Sequence, residues 1–308
     1  MPRLLLTGAN GHLGRRLIRT LPEHWTITAV VRSERAQRRL TRKVGERPGL
    51  DVTLTDPSDA AALAALAAGA DAAVHLIGTI KESRDNRYED SHQRPARALA
   101  AAAAQVGLRR VVYLSILGAS ATSTVRCLRA RAAVEEILQG ISTAAATVIR
   151  VPMVLGEGDR ASGALARRAA ADRVFLYRAG SLEQPIYAGD VVDALLAAVD
   201  LDTTAGKVFE LAGSESLPRG DLVRRAAATC GRRPAVYSLP LVLGLAIAGV
   251  MEQLAASPRV TRDMLRVLDH DDAIDPGPAA AALGLELTAL DVMLERCVKE
   301  RCAQLIGA

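Results

Sequence analysis

Apolar and polar positions alternate in blocks along the first half of the chain. RLLLTGAN, Arg3 to Asn10, is a short apolar run that breaks into glycine, and HLGRRLIRTLPE after it keeps helical spacing up to Pro22. The pattern predicts strand, turn, helix. TITAVVR (Thr26–Arg32), LDVTLTD (Leu50–Asp56), DAAVHLIG (Asp71–Gly78) and RRVVYLSILG (Arg109–Gly118) each read as buried strands. The Ala-rich runs Ala60–Ala68 and Pro95–Val106 between them read as helices. This alternation predicts an α/β fold, a parallel sheet covered on both faces with right-handed crossovers.

VRCLRARAAVEEIL, Val125 to Leu138, has the period of a helix. Ala130, Val134, Ile137 and Leu138 form an apolar stripe, with Cys127 and Arg131 one turn apart on the same side. An inward cysteine is ordinary, whereas an inward arginine needs a partner for its charge. Beyond this helix the pattern is less regular. ATVIRVPMVLGEGD (Ala146–Asp159) looks like a strand ending in a glycine-rich loop, and KVFELAG (Lys207–Gly213) like a later strand. GDLVRRAAATCG and LTALDVMLERCVKERCAQLI suggest helices, and no internal repeat is visible. The expected organisation is a sheet domain over 1–155, to which strands from about 186–212 return, and a smaller C-terminal α/β portion over 156–308, lying over the sheet's carboxyl edge.

A chain of 308 residues with 50% hydrophobic content can bury a sizeable core. The aromatic content of 3% speaks against a reader of single-stranded nucleic acid, which stacks bases on aromatic rings. The net charge of +5 comes largely from Arg32 to Arg47, a stretch that reads as a solvated helix face or as a phosphate contact. No nucleic-acid partner is expected from so diffuse an excess. Cys127, Cys230, Cys297 and Cys302 lack C-x-x-C spacing, and the N-terminus lacks a signal-peptide pattern. Reduced thiols, no metal site and a cytoplasmic setting are therefore expected. LPLVLGLAIAGVM, Leu239 to Met251, falls short of the ~20 residues a spanning helix requires. It reads as a buried core or dimer helix. The alternatives are a peripheral contact with the inner face of a membrane, or a roof over a lipid-like ligand.

TGANGHLG places Gly8, Gly11 and Gly14 directly after the first strand and at the opening of the first helix. Glycines there let the backbone turn tightly and approach a pyrophosphate, while the helix start supplies free N–H donors. The candidate binding loop is Gly8, Asn10, Gly11, His12, Leu13 and Gly14. The second strand ends in Arg32 and Ser33 with no acidic residue to accept from a ribose 2′-hydroxyl. A guanidinium pairs with a 2′-phosphate, so NADP(H) is expected, with NAD(H) the alternative. Asp56, at the end of the third strand, is placed either to reach the adenine amine or to serve a turn or helix cap.

TGANGHLG, AVHLIG, VVYLSILGAS, VIRVPMVLGEGD and QPIYAGDVVDAL occur in that order. On these motifs the chain resembles an atypical short-chain dehydrogenase/reductase of the extended type, in the NAD-dependent epimerase/dehydratase superfamily. HLIGTIKESRDNRYEDSHQRPARAL and LPLVLGLAIAGVMEQLAASPRVTRDMLRVLDHDDAIDP narrow the resemblance to the branch of the complex I alpha-subcomplex subunit 9 and its bacterial and coenzyme-Q-associated relatives. The resemblance implies a Rossmann domain holding NADP(H) at the glycine loop, Arg32 and Asp56. The cofactor would run past Leu76, Ile77 and Gly78 and along the Ser115 strand end toward Pro152. Catalysis in that superfamily rests on a Tyr-x-x-x-Lys pair and a strand-end serine, the tyrosine exchanging a proton while hydride moves. Ser115 matches the serine. Counted from AAVEEIL, the tyrosine position falls on Cys127 and the lysine position on Arg131.

Arginine keeps the charge that holds a ribose, whereas a thiol is a weak donor of different geometry from a phenol. Other candidate acids are Tyr187 in QPIYAGD, read otherwise as a core residue, Lys81 and Tyr88, read otherwise as surface loop, and His92, read otherwise as a helix-start residue. Three functions follow from this balance. The first is a nucleotide-binding protein whose NADP(H) stabilises the fold or a protein interface. The second is an oxidoreductase or isomerase acting on an apolar quinone, isoprenoid or lipid. The third is a sensor of the NADPH/NADP ratio.

Overall fold

A computed structural model describes residues 1–79, 82, 87–254, 260–267 and 270–307. The chain forms two compact units. The first comprises Met1–Arg150, Val192–Phe209 and Ala282–Gly284. In chain order it opens with β1 (Arg3–Thr7), α1 (His12–Thr20), β2 (Thr26–Val31), α2 (Glu34–Val44), β3 (Leu50–Leu54), α3 (Ala60–Ala67) and β4 (Ala72–His75). After a π-helical turn at Glu89–Gln93 come α4 (Arg94–Val106), β5 (Arg110–Ile116), α5 (Arg126–Gln139) and β6 (Ala145–Val151).

The main sheet runs β11-β6-β5-β4-β1-β2-β3, with β11 the later strand Val208–Glu210. β1 pairs in parallel with both β2 and β4, β2 with β3, and β4 with β5. Leu4, Leu5 and Leu6 of β1 are all fully buried, as a strand covered on both faces requires. Strand order reverses between β1 and β4, and a parallel sheet opens a crevice at the carboxyl ends of such neighbours. The Ala-rich helices pack closely, with Leu63 and Ala67 of α3 and Leu99 and Ala103 of α4 in one core. Asp59 caps α3 through Ala62 N at 3.0 Å, and Gly107 ends α4 in the left-handed region. The basic stretch becomes α2, which buries only Leu40 and otherwise faces solvent.

The second unit comprises Val151–Val191, Glu210–Ala281 and Leu285–Ala308. Its elements begin with β7 (Val154–Leu155), α6 (Arg160–Ala170), β8 (Arg173–Tyr177), β9 (Leu182–Glu183), β10 (Ile186–Tyr187) and the start of α7 (Ala188–Asp200). They continue with β12 (Leu217–Pro218), α8 (Arg219–Ala228), β13 (Ala235–Leu239), α9 (Leu241–Leu254), α10 (Arg262–Val267) and α11 (Gly277–Ala282). α12 (Leu290–Leu294) and α13 (Glu300–Ile306) flank a π-helical turn at Glu295–Lys299. Leu165, Leu176, Leu222, Met293 and Val298 share its core.

Three expectations change. The run Ala146–Asp159 divides into β6 and the separate β7, because Pro152 cannot donate to a ladder. Of the strands expected to return near 186–212, β11 joins the main sheet, while β10 pairs with β7. Cys230 and Cys302 form a disulfide across 72 residues, and Cys127 and Cys297 stay outside it as thiols. Pairing at that separation leaves no spacing signal, and the bridge removes the ground for expecting a reducing compartment.

Candidate functional site: a nucleotide cleft beside an inward arginine

β1 delivers the backbone into Gly8, whose φ is +77°. A Cβ at Gly8 would lie 2.7 Å from the Leu76 carbonyl carbon, so only glycine lets the loop rest on the end of β4. At Gly14, inside α1, a Cβ would meet the carbonyl oxygens of Gly8 and Ala9 at 2.7 Å. Helix and loop are therefore flush. Gly11 begins α1 without a side-chain cap, and its N–H donates to Gly8 O at 2.9 Å. The first amides of α1, including those of His12 and Leu13, then offer the donors and positive dipole end that suit a phosphate. Arg15 Nη1 donates to Asn10 O at 2.5 Å, while Asn10 Oδ1 is buried with no hydrogen-bond partner among the described residues. A ligand hydroxyl or amide would satisfy that acceptor.

A cavity of about 350 Å³ opens at this loop. Gly8, Asn10 and Gly11 form its floor, Val30, Val31 and Arg32 one wall, and Leu76, Ile77 and Gly78 the other. Asp56 also lines it. Arg32 is exposed and forms no ion pair among the described residues. Asp56 Oδ1 accepts Ser58 N–H at 2.9 Å in a tight turn, and Asp59 takes the cap of α3. Ser33 caps α2 by accepting Ala36 N–H at 3.2 Å and does not line the cavity. Ser58, Thr79, Asp90, Ser91 and Pro95 line it as well and were not singled out by motif. Ser58 sits two residues after Asp56, which is the signal that could have found it. Asp90 and Ser91 come from the turn before α4, far along the chain from the glycine loop. The volume, the glycine cradle and the orphan acceptor fit one portion of a dinucleotide.

Beside the cavity, α5 turns Cys127, Arg131 and Glu135 toward the sheet on three successive turns. Arg131 Nη1 donates to Tyr113 Oη at 3.0 Å and to Leu114 O at 3.2 Å. The guanidinium covers Gly78, where any Cβ would collide with it. These are the partners that an inward arginine required. Burial disfavours its charge, but Tyr113, Cys127 and Glu135 together outweigh burial and raise its pKa. Cys127 Sγ lies 3.7 Å from Thr79 O, and His92 Nε2 lies 2.8 Å from the same oxygen. His75 Nδ1 shares a hydrogen bond of 2.7 Å with Thr7 Oγ1. Burial, and then the charge of Arg131, push both histidines down to about 3. Each is neutral near pH 7 and has no proton to give as an imidazolium.

Ser115 donates to Glu135, which also holds Arg150 through paired bonds, Nη2 to Oε2 at 2.6 Å and Nε to Oε1 at 3.1 Å. The serine hydroxyl is thus engaged within the sheet–α5 layer. Tyr88 is buried against His92, with ring centroids 5.3 Å apart, and does not form the surface loop expected of it. Lys81 lies outside the described residues, as do parts of GTIKES and SPRVTRDML. Pro152 and Tyr187 belong to the second unit. Tyr187 is buried there, its hydroxyl donating to Glu157 and its ring 5.5 Å below the Arg296 guanidinium.

A model of the NAD(P)H-binding family matches residues 8–174, which contain the glycine loop, the cavity walls and all of α5. The chain belongs to this family. It is 30% identical over 254 residues to the mitochondrial NADH dehydrogenase [ubiquinone] 1 alpha subcomplex subunit 9 of Arabidopsis thaliana, a match covering 78% of this chain and 61% of that protein. The chain thus spans about three-fifths of that relative's length. The Mus musculus subunit of the same name is 25% identical over 289 residues, 92% of this chain and 76% of its own. Among solved structures, the UDP-glucuronic acid 4-epimerase of Bacillus cereus, in complex with UDP-glucuronic acid and NAD, superposes with a TM-score of 0.74. That match covers 98% of this chain and 99% of the epimerase at 14% identity, and shows a shared fold. This NAD(P)H-binding chain is thereby a Rossmann-type protein homologous to complex I subunit 9.

Proposed function

We propose that the protein binds NADP(H) as a structural or sensory ligand and does not carry out ordinary dehydrogenase turnover. The observation that carries this reading is the pair on α5. Where the superfamily's tyrosine and lysine are expected, the chain has a buried thiol beside Thr79 O and a guanidinium bonded to Tyr113 and Leu114. When bound, the nucleotide would supply a hydride. Among the described residues, the groups near Gly78 are two neutral histidines, a thiol, an arginine and the Tyr113 phenol, whose pKa burial pushes up and which is bound to Arg131, none suited to giving a proton to an alkoxide near pH 7. Arg131 instead braces Gly78 and the strand end on which the cofactor would lie. Arg32, exposed in the lining of the cavity and without an ion pair among the described residues, supports NADP(H) over NAD(H). Binding to the folded chain alone would add roughly 2.7 kcal/mol of stability at a hundredfold excess of free nucleotide over Kd. A protein interface is a natural beneficiary, since the mitochondrial relatives are named as subunits.

Fluorescence titration of the protein with NADPH and NADH tests the reading. NADPH is expected to bind at least tenfold more tightly, and Arg32→Glu to abolish the difference. Equal affinities, or a preference for NADH, would overturn the NADP(H) assignment. Steady consumption of NADPH with a quinone or isoprenoid would favour instead the reductase of an apolar substrate.

A further inference from the structure

The stretch Leu239–Met251, expected first as a core or dimer helix, is largely exposed in the single chain. α9 buries only Gly244 and Ala248. Gly244 lies on the Tyr177 ring, where a Cβ would approach to 2.8 Å, so a small residue lets the helix lie flat on the β8–β13 pair. Leu243, Ile247, Val250 and Leu254 are exposed on an adjoining face of the helix. Their spacing gathers them within ~60° of arc at ~100° per residue. Leu254 is 83% exposed, and Val242 on the flank of the stripe is 76% exposed.

The sheet beneath continues this surface. β8 and β13 are parallel, with Phe175 opposite Tyr237, and the two rings stack at 5.2 Å. Phe175 is 61% exposed. Along β8, Arg173, Phe175 and Tyr177 share one face by alternation, so the aromatic pair lies on the face that receives α9. Arg173 and Arg233 are exposed there or just before β13, without an ion pair among the described residues. The only ionisable residue of α9 is Glu252, which is held by Arg262 at 2.8 Å.

We propose that this face of the second unit docks on an anionic membrane surface. An acid-free apolar stripe, two aromatic rings and free arginines together match acyl chains below and phosphate headgroups above. At ~1.5 Å per residue, the helix reaches only about 21 Å, short of the ~30 Å hydrocarbon core, so it lies along the surface. No helix among the described residues is long and apolar enough to cross a membrane. A second copy of the chain fits less well. A two-fold contact would bring like arginines together, and β8, β13 and α9 carry no unpaired carboxylate to meet them.

Co-sedimentation of the full chain with vesicles tests this. One set is phosphatidylcholine alone and the other contains about one-third phosphatidylglycerol. The protein is expected to pellet with the anionic set at least tenfold more than with the neutral one, and to be released as salt rises. Ile247→Glu with Leu254→Glu should abolish pelleting, and Arg173→Glu should weaken it, with circular dichroism and NADPH titration unchanged. The proposal fails if the wild type stays in the supernatant with anionic vesicles, or if the double variant pellets equally. It fails too if sedimentation velocity shows a dimer that the double variant dissociates while vesicle binding is absent.

Discussion

Arg131 is the residue on which nucleotide holding and chemistry part company. It is half-buried, it reaches Tyr113 and Leu114 from α5, and it covers Gly78 at the wall of the cavity. Arg131→Met removes the brace and leaves the Tyr113 hydroxyl without its donor. NADPH affinity is expected to fall roughly tenfold or more, as loss of charge-assisted bonds implies, with Arg131→Lys retaining most of it. Titration of both variants checks this, and unchanged binding in Arg131→Met would remove the residue from the cofactor's support. The inward arginine was legible in sequence because helical spacing puts it level with Cys127. Its partners were not. Tyr113 lies 18 residues away on β5, and His75 and His92 arrive from β4 and the turn before α4, so only the folded sheet brings them together. The engagement of Ser115 with Glu135 was hidden similarly, although Glu135 follows Arg131 by one helical turn.

At the scale of elements, the strand–loop–helix unit of β1 and α1 has little tolerance. Gly8→Ala combines a positive φ with a Cβ pressed on the Leu76 carbonyl, and each makes the native loop unfavourable. A loss of at least ~1 kcal/mol in stability is expected, with a larger loss in nucleotide binding. Urea unfolding and NADPH titration measure the two separately, and a Gly8→Ala protein that binds normally would contradict the geometry. This unit was fully legible, since its chemistry is local: apolar run, three glycines, then helical spacing. The edges of the cavity at Asp90, Ser91 and Pro95 were not, because they depend on how a crossover connection lies over the sheet. α9 misled for the opposite reason. Its apolar composition suggested burial in a core or a dimer, yet a helix with hardly any polar face gives no sign of which side the chain itself covers.

For the whole molecule, acid should be destabilising through the two buried histidines. Their folded pKa values are near 3, against 6.5 for the free side chain. Above pH 6.5 neither state binds the proton and these groups have no leverage. As pH falls from 6.5 toward 3, the unfolded chain takes up protons that the folded chain refuses. Stability then drops by up to ~1.4 kcal/mol per pH unit for each histidine. Urea midpoints near pH 7 and near pH 5 should show the decline, and His92→Asn should flatten it. A midpoint that rises on acidification, or a slope unchanged in that variant, would count against the neutral pair. The α/β class and parallel sheet could be read from alternation alone, whereas the disulfide could not, because cysteines 72 residues apart carry no pairing signal. The central claim is that a complete nucleotide site is joined to a proton-transfer pair that has been replaced. Its most direct test follows NADPH absorbance while the loaded protein is mixed with quinones, ketones and sugar nucleotides. The account predicts a flat trace with NADPH recovered intact. Sustained oxidation that survives Cys127→Ala but is lost in Gly11→Val would contradict it.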